Sequence, residues 1–185
     1  MNQDKDALKL SILKTRARAL AKEPEKSDAN LQFLEIIEFR LASETYGVES
    51  TYVREIYPLK DFTPLPGTPS FVLGLANVRG QILSVIDLKK FFNLPEKGLG
   101  ELNKIIIVRN DFMEFGILAD AVTGARRVLP EDILESPPTV SGIGAQYLKG
   151  ITKERMAVLD MEKILNDEKM IVNESVAENV ANRGN

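Results

Sequence analysis

Short apolar runs, rich in β-branched residues, recur between about residues 31 and 166 and are separated by Gly, Pro, Asn and Asp. Runs of this length are typical of strands in a small barrel or sandwich, and the pieces between them have room for only short helices. The pattern therefore predicts an all-β body with short connecting helices. The predicted strands include Phe33–Leu41, Thr45–Val48, Gly74–Val78, Ile82–Ile86, Lys104–Arg109, Met113–Ala119, Tyr147–Thr152 and Met156–Leu159.

The body repeats itself. Tyr46-Gly47-Val48 returns 69 residues later as Phe115-Gly116-Ile117, and Val85-Ile86-Asp87-Leu88 returns 73 residues later as Val158-Leu159-Asp160-Met161. A repeat of this length is too long for a solenoid and suits a duplicated lobe. With about five short strands in roughly 65 residues, each copy has the size of a small closed barrel.

The chain divides into three stretches. An N-terminal extension covers residues 1–30, the duplicated body covers 31–166, and a polar C-terminal tail that we expect to be loosely ordered covers 167–185. Motifs of the first lobe lie at about 32–95 and those of the second at about 101–166. The repeat leaves open whether the two lobes exchange strands.

The N-terminal extension is predicted to form an amphipathic helix. Leu10, Leu13, Ala17 and Leu20 fall on one helical face, and residues 5–22 carry six Lys or Arg and one Asp, a net charge of +5. Since the whole chain carries −3, the remainder carries −8. Packing on the chain's own body, fraying, docking on a partner and binding at a membrane surface are the alternatives for this helix.

Composition excludes most catalytic chemistry. There is no Cys and no His, which removes disulfides, thiol nucleophiles, the Ser-His-Asp triad and zinc sites built on those residues. The remaining carboxylates, for example Glu131-Asp132, show no convergent pattern of metal ligands. We therefore expect no enzymatic activity, no metal and no cofactor.

Charge and hydropathy restrict the partners. The pI of about 5.2 argues against nucleic acid, and no window approaches the ~18 apolar residues of a membrane span, so we expect no direct membrane insertion. The N-terminus has no apolar signal-peptide core, which predicts a cytoplasmic protein. An SH3-like or OB-like barrel that binds RNA is the alternative, although aromatic residues make up only 6% and the body is acidic.

Two segments differ between the copies and are the candidates for function. Asn77-Val78-Arg79-Gly80-Gln81 is predicted to close a hairpin, and the second copy has Ile151-Thr152-Lys153-Glu154 there, so the shared fold does not require Asn77 or Arg79. Arg54-Glu55-Ile56 is likewise specific to the first copy, whereas Val53 is shared and is expected to pack. Asp87 and Asp160, which are shared, each precede an apolar helical run and are expected to be N-caps.

These residues resemble the CheW family, the coupling proteins of bacterial chemosensory arrays, over roughly residues 32–166. The most specific part is Gly74-x-x-Asn77-x-Arg79-Gly80, followed by a hydrophobic strand and Asp87-Leu88. The resemblance implies two five-stranded SH3-like β-barrels and no enzymatic activity. It implies a scaffold that joins the cytoplasmic tips of methyl-accepting chemoreceptors to the regulatory domain of the histidine kinase CheA, and that can also assemble with itself in rings. An adaptor of a non-flagellar chemosensory pathway is a second alternative within the same family.

The resemblance also assigns roles to individual residues. Receptor binding is expected of Asn77 and Arg79 in the hairpin, and of Val53 and Glu55 in a segment that we expect to be helical. Further partner contacts are expected of Arg54, Ile56 and Val78. Structural roles are expected of Gly47, Gly74, Gly80, Asp87 and Asp160.

Overall fold

The structure is a computed structural model that describes residues 32–95, 103–135 and 143–170. The helix predicted within residues 1–30 lies outside the described residues, as does most of the predicted polar tail. The start of that tail is described: Glu168–Met170 forms a 3-10 turn, and Met170 packs into the main hydrophobic core.

Eleven strands and two short α-helices make up the described regions. The strands are β1 Leu34–Leu41, β2 Glu44–Glu49, β3 Val53–Pro58, β4 Val72–Val78, β5 Gln81–Ile86, β6 Lys104–Arg109, β7 Glu114–Ala119, β8 Ala121–Val128, β9 Ile133–Leu134, β10 Leu148–Thr152 and β11 Met156–Leu159. The helices are α1 Leu88–Phe91 and α2 Met161–Leu165, and 3-10 turns occupy Ser50–Tyr52, Pro130–Asp132, Ile143–Tyr147 and Glu168–Met170.

The segment that carries Val53 and Glu55 is a strand, so the expectation of a helix there was wrong. Only Ser50–Tyr52 makes a 3-10 turn, and β3 then pairs antiparallel with β6 from Val53 to Pro58. Pairing with β6 gives the backbone N–H and C=O groups of this segment hydrogen-bond partners. A short isolated helix would not be stable by itself.

The strands form two sheets, and the predicted all-β fold of two SH3-like barrels is confirmed. The first sheet has the order β8-β1-β2-β11-β10-β9, and the second has the order β3-β6-β7-β5-β4. In the second sheet an isolated bridge between Thr63 and Leu75 takes the place that the β9–β10 pairing has in the first. Position by position, the two sheets therefore have the same strand order.

Each sheet contains strands from both halves of the sequence. The β1–β2 hairpin of the first half lies in the first sheet with β8 to β11, and the β6–β7 hairpin of the second half lies in the second sheet with β3 to β5. Strands of different halves meet in two parallel pairings, β2 with β11 and β5 with β7, and in two antiparallel pairings, β1 with β8 and β3 with β6. The two halves are thus interlocked by an exchange of equivalent hairpins.

The largest hydrophobic cluster packs between the sheets, and a smaller cluster fills each barrel. Strand β6 shows how the layers divide: Ile105 and Ile107 point into the second barrel, whereas Ile106 and Val108 point into the layer between the sheets. A strand buried on both faces reads as a continuous apolar run, which is the sequence of β6.

The repeated glycines and aspartates have the same role in both copies. A Cβ on Gly47 would overlap the Cγ2 atom of Ile36, and a Cβ on Gly116 would overlap that of Ile105. Asp87 accepts a hydrogen bond from the Lys89 backbone N–H at 3.0 Å, and Asp160 accepts one from that of Lys163 at 3.2 Å, so both occupy the N-cap positions expected of them. Gly74 lies where the chain closes the second barrel, and a Cβ there would overlap the carbonyl of Thr63.

Candidate partner-binding surface

The tip of the β4–β5 hairpin presents Arg79 to solvent. Arg79 and Gly80 form a two-residue turn with φ of 53° and 89°, as in the type I′ turns that join twisted strands. Glycine adopts this conformation without strain, but for a side-chain-bearing residue the left-handed region costs about 1–2 kcal/mol. Asn77 supports the turn because its Oδ1 accepts a hydrogen bond from Gly80 N–H at 2.8 Å. The Arg79 side chain is 74% exposed.

Arg79 belongs to a charged cluster of five side chains, which we call the mouth cluster: Arg54, Glu55, Arg79, Gln81 and Glu114. Glu55 joins two arginines, with its Oε2 3.0 Å from Arg79 Nε and its Oε1 3.0 Å from Arg54 Nη2. Arg54 Nη1 also donates to Glu114 Oε1 at 2.6 Å and to Gln81 Oε1 at 2.7 Å. Gln81 Nε2 closes the ring by donating to Glu114 Oε2 at 2.7 Å.

Strand alternation places this cluster over one end of the second barrel. Gln81 shares a face of β5 with Leu83, and Glu114 shares a face of β7 with Leu118; both leucines line the barrel interior. Arg54 is the extra residue of a β-bulge in β3, since Val53 pairs with Val108 but Glu55 already pairs with Ile107. The bulge lets the consecutive residues 54 and 55 both reach the cluster.

The ion pairs of the cluster differ in strength because their exposure differs. Arg54 and Glu114 each have side chains that are 20% exposed, so their pair is poorly screened and holds the strands together. The pair between Glu55 and Arg79 involves a mostly exposed guanidinium, and such pairs contribute only about 0–1 kcal/mol. Arg79 is therefore free to exchange Glu55 for another carboxylate at little cost.

An exposed apolar side chain lies on the same hairpin as Arg79. Ile82 is 67% exposed and is the register partner of Asn77, so both lie on the outer face of the hairpin. Sequence reasoning missed Ile82, although its position in β5 alternates with the buried Leu83 and Val85, and that alternation puts an isoleucine where a polar residue is usual.

The structure separates the expected site residues into two groups. Glu55, Arg79 and Arg54 meet in the mouth cluster, and Asn77 supports its turn.

The other expected residues lie outside the cluster. Val53 is only partly buried but packs against the main hydrophobic cluster, and Ile56 is 40% exposed on β3. Val78 differs from the expectation: its side chain is 1% exposed and lies inside the second barrel, because it alternates with the outward-facing Asn77. It supports the hairpin from within and is not available to a partner.

A cavity of about 240 Å³ adjoins this surface between the end of β3 and the middle of β4. Tyr57, Phe62 and Leu75 contribute its apolar walls, and Asn77 is on its rim.

Within residues 32–95, 103–135 and 143–170, no group of three or more carboxylates is arranged to hold a metal ion. The helices of the same described regions are all too short or too polar to cross a membrane.

Two of the groups with shifted pKa values, Tyr147 and Asp160, lie near α2 in the second half of the chain. Burial and the hydrogen bond to Asp167 raise the pKa of Tyr147 to about 12. Burial alone would raise the pKa of Asp160, but hydrogen bonds from the side chain and backbone of Lys163 outweigh it and lower the pKa. These groups stabilise the helix and the turn that follows it, and they are not part of the mouth cluster.

Comparison with known proteins identifies the family. A family model described as a CheW-like domain matches residues 35–169, which is most of the chain. This chain belongs to the CheW-like family. It is 30% identical to the chemotaxis protein CheW of Treponema pallidum over 76% of this chain and 87% of that protein, and 33% identical to protein FrzA of Myxococcus xanthus over 69% and 82%.

A solved CheW structure has the same fold. The crystal structure of the scaffolding protein TtCheW from Thermoanaerobacter tengcongensis superposes with a TM-score of 0.66 at 29% identity, covering 80% of this chain and 96% of that one. CheW-like proteins are non-catalytic scaffold adaptors of chemotaxis, and this chain is therefore an adaptor and not an enzyme. Because the chain belongs to this family, we reject the alternative of an RNA-binding barrel.

Proposed function

We propose that this chain works in the cytoplasm and joins the cytoplasmic tips of methyl-accepting chemoreceptors to the regulatory domain of CheA, with the β4–β5 tip as the receptor contact. The observation that carries the assignment is Arg79: it is exposed, it adopts a left-handed backbone conformation at a turn, and an ion pair with Glu55 orients it. Strained residues that the surroundings hold in place cluster at functional sites.

The chemistry of the tip suits a helical partner. A receptor tip is a helical hairpin, and helices dock through apolar anchors surrounded by polar contacts. Ile82 supplies an exposed apolar anchor, Asn77 supplies an amide directly opposite it, and Arg79 supplies a cation at the tip of the same hairpin. Arginine is favoured in such contacts because its planar fork of donors binds carboxylates in two-point fashion.

Coupling requires a second surface for the kinase, separate from the receptor contact. The two barrels have the same strand order, so the first barrel offers surfaces that correspond to those of the second. A kinase domain of the same duplicated fold, or a second copy of this chain, can pair with such surfaces pseudosymmetrically and close rings. Receptor and kinase are then bound at the same time, and receptor state biases the kinase through differential contacts.

The test is the affinity of Arg79→Glu for a purified receptor cytoplasmic fragment, measured by calorimetry. We expect the dissociation constant to rise more than tenfold, about 1.4 kcal/mol, because the new carboxylate repels both Glu55 and an acidic partner group. Arg155→Glu is the matched control, since Arg155 is also exposed, also has a positive φ of 65° and lies at the tip of the β10–β11 hairpin. Equal losses in both variants, or no loss in a folded Arg79→Glu protein, would contradict the assignment.

A second measurement separates the two partners. Binding of Arg79→Glu to the CheA regulatory domain should stay within about twofold of the unmodified chain, because the proposal places the kinase elsewhere. If kinase binding falls together with receptor binding, the tip is not a receptor-specific surface. Capture of the unmodified chain from its native lysate should recover a histidine kinase together with receptor fragments.

A further inference from the structure

The tip of the β6–β7 hairpin presents a phenylalanine to solvent. Phe112 is 91% exposed, more than any other large apolar side chain of the described residues. The equivalent tip of the β1–β2 hairpin, 69 residues earlier, has Ser43, so the repeated fold does not require an apolar residue there. Aromatic side chains are enriched in protein–protein contacts, where burying the ring removes a large apolar area from water.

Hydrogen bonds hold the backbone that carries Phe112. The Oδ1 of Asn110 accepts from the Phe112 N–H at 2.9 Å and from the Met113 N–H at 2.7 Å, and the Asn110 N–H donates to the Met113 carbonyl at 3.0 Å. The Asn110 Nδ2 also donates to the Oδ1 of Asn166, which follows α2, at 3.3 Å. A side chain on an ordered turn loses less conformational entropy on binding. We call the Phe112 side chain the knob.

The cavity between β3 and β4 has the size and the lining to hold such a ring. Its volume is about 240 Å³, and an apolar cavity of about 150 Å³ is already large enough to bind benzene. Its walls are Tyr57, Phe62 and Leu75. Its floor is formed by Ala76 and Ile105, which belong to the cluster that fills the second barrel.

The aromatic wall of the cavity is specific to the second barrel. Tyr57 lies opposite Ile105 in the β3–β6 pairing, and Arg126 lies opposite Ile36 in the equivalent β8–β1 pairing. The first barrel therefore has a charged side chain, paired with Glu38 at 3.0 Å, where the second has a tyrosine. The knob and this wall each occur once in the duplicated body, so the fold by itself explains neither of them.

Charged residues around the knob and around the cavity are complementary. The rim of the cavity carries Lys60 and Asp61, and Arg109 and Asp111 lie close to Phe112 in the chain. All four are exposed, and none of them forms an ion pair within residues 32–95, 103–135 and 143–170. In a contact between two copies, Asp111 can face Lys60 and Arg109 can face Asp61. Exposed pairs add little affinity but help to set the orientation of the partners.

We propose that this chain assembles with itself head to tail, with Phe112 of one copy inserted into the cavity of the next. The knob lies past the end of β6, whereas Ile105 on the cavity floor lies near its start, so the two are different patches of the surface. A contact between different patches leaves one knob and one cavity free, and assembly can continue into a ring or a row. The contact does not involve Arg79, and the receptor assignment does not depend on it.

The contact should be weak in dilute solution. One aromatic side chain and the residues around it bury far less than the about 1,200 Å² that stable complexes bury at the least. A weak contact is sufficient where copies are held side by side, because the effective concentration of tethered partners reaches about the millimolar range. The experiment therefore uses concentrated protein.

Sedimentation velocity of the full chain between about 10 μM and about 1 mM measures the self-association. We expect the average mass of the unmodified chain to rise with concentration, and F112S to weaken association at least ~tenfold. T63W should weaken it to a similar extent, because Thr63 lines the cavity and a larger side chain there would fill it. The control is I82S, which removes another exposed apolar side chain and should leave the association unchanged.

Mixing the two deficient variants tests the pairing of knob and cavity directly. F112S keeps its cavity and T63W keeps its knob, so an equimolar mixture should form a one-to-one complex and nothing larger. Non-specific association through exposed apolar surface would not be restored by mixing.

A charge exchange gives a second test that does not depend on T63W. D111K should weaken the association, and K60E/D111K should restore it, because the exchanged charges again attract. Thermal melting of each variant verifies that it is folded.

Three results would overturn the proposal: an unmodified chain that stays monomeric at about 1 mM, a folded F112S variant that associates as the unmodified chain does, or a mixture of F112S and T63W that forms no complex. If the chain is monomeric and F112S instead loses affinity for the CheA regulatory domain, the knob binds the kinase and not a second copy.

Discussion

The two equivalent hairpin tips, at β4–β5 and β10–β11, have the same place in their barrels but carry different chemistry. The first tip is a two-residue turn with Arg79 in a charged cluster of five side chains, on the same hairpin as the exposed Ile82. The second is a three-residue turn, Lys153 to Arg155, where Lys153 pairs with Asp132 at 2.6 Å. The fold requires a turn at both places, and we propose a binding surface only at the first.

In a duplicated fold, such a difference separates the residues that the fold requires from the candidates for function. Residues that both copies share, such as Gly47 with Gly116 and Asp87 with Asp160, have the same contacts twice and are explained by the fold. The residues of the mouth cluster occur once and interact with one another across three strands. That division has measurable consequences, and we expect the largest at the shared glycines.

Replacing a shared glycine by alanine should lower the free energy of unfolding equally in the two barrels. Gly47→Ala and Gly116→Ala should each destabilise the protein by about 1–3 kcal/mol, because the added Cβ overlaps a β-branched isoleucine in a packed core. Denaturant unfolding measures both. The overlap with the Cγ2 of Ile36 predicts that Ile36→Leu, which moves the branch away from Cβ, restores part of the loss in Gly47→Ala. A large difference between the two glycines would mean that the barrels are not equivalent at this position.

Ion pairs at the two tips should differ in their contribution. Glu114→Ala should lower the free energy of unfolding by about 1–2 kcal/mol, because it leaves the poorly exposed Arg54 without its closest acceptor. Asp132→Ala removes the partner of Lys153, which is 67% exposed, and should destabilise the protein clearly less than Glu114→Ala does. Denaturant unfolding measures the loss in each of the two variants. Equal losses would show that the mouth cluster is no more than a set of surface ion pairs.

The left-handed arginines allow stability to be separated from binding. Arg79→Gly and Arg155→Gly both relieve an unfavourable φ and should raise stability by about 0.5–1 kcal/mol, less the weak ion pair in the case of Arg79. Only Arg79→Gly should weaken receptor binding. Thermal melting measures the stability of both variants, and calorimetry measures their affinity for the receptor fragment. An unchanged receptor affinity of Arg79→Gly would mean that the receptor contact lies elsewhere.

Local patterns in the sequence predict the duplication, most of the strands and the two N-caps, because alternation and capping depend on residues close in the chain. The strand β3 escapes such prediction because its bulge at Arg54 puts two charged residues together and interrupts the alternation. The burial of Val78 could have been found, since it alternates with Asn77 as Ala76 does. Apart from the neighbours Arg54 and Glu55, the contacts of the mouth cluster join residues 24 to 60 positions apart, which no local pattern contains.

Whether the lobes exchange strands could not be predicted for a different reason. Both assemblies satisfy the same hydrophobic periodicity, so the apolar pattern gives the same answer for either. What separates them is the length of the connectors, since the single residue Asp120 joins β7 to β8. That length can be counted only once the ends of the strands are known.

The smallest predicted effect concerns the acid stability of the second copy's helix cap. The pKa of Asp160 is lowered in the folded chain, because the hydrogen bonds from Lys163 outweigh the effect of burial. A carboxylate with a lowered folded pKa contributes stability above its unfolded pKa of 3.8, and this contribution is lost as the pH falls through the folded pKa. Asp160→Asn keeps a capping oxygen and removes the charge, so it should cost only about 0.3–1 kcal/mol near pH 7. Unfolding measured from pH 7 down to pH 2 should show the two proteins converging below about pH 4, since a protonated Asp160 resembles the asparagine. A difference that persists at pH 2 would mean that the cap acts through its shape and hydrogen bond, and not through its charge.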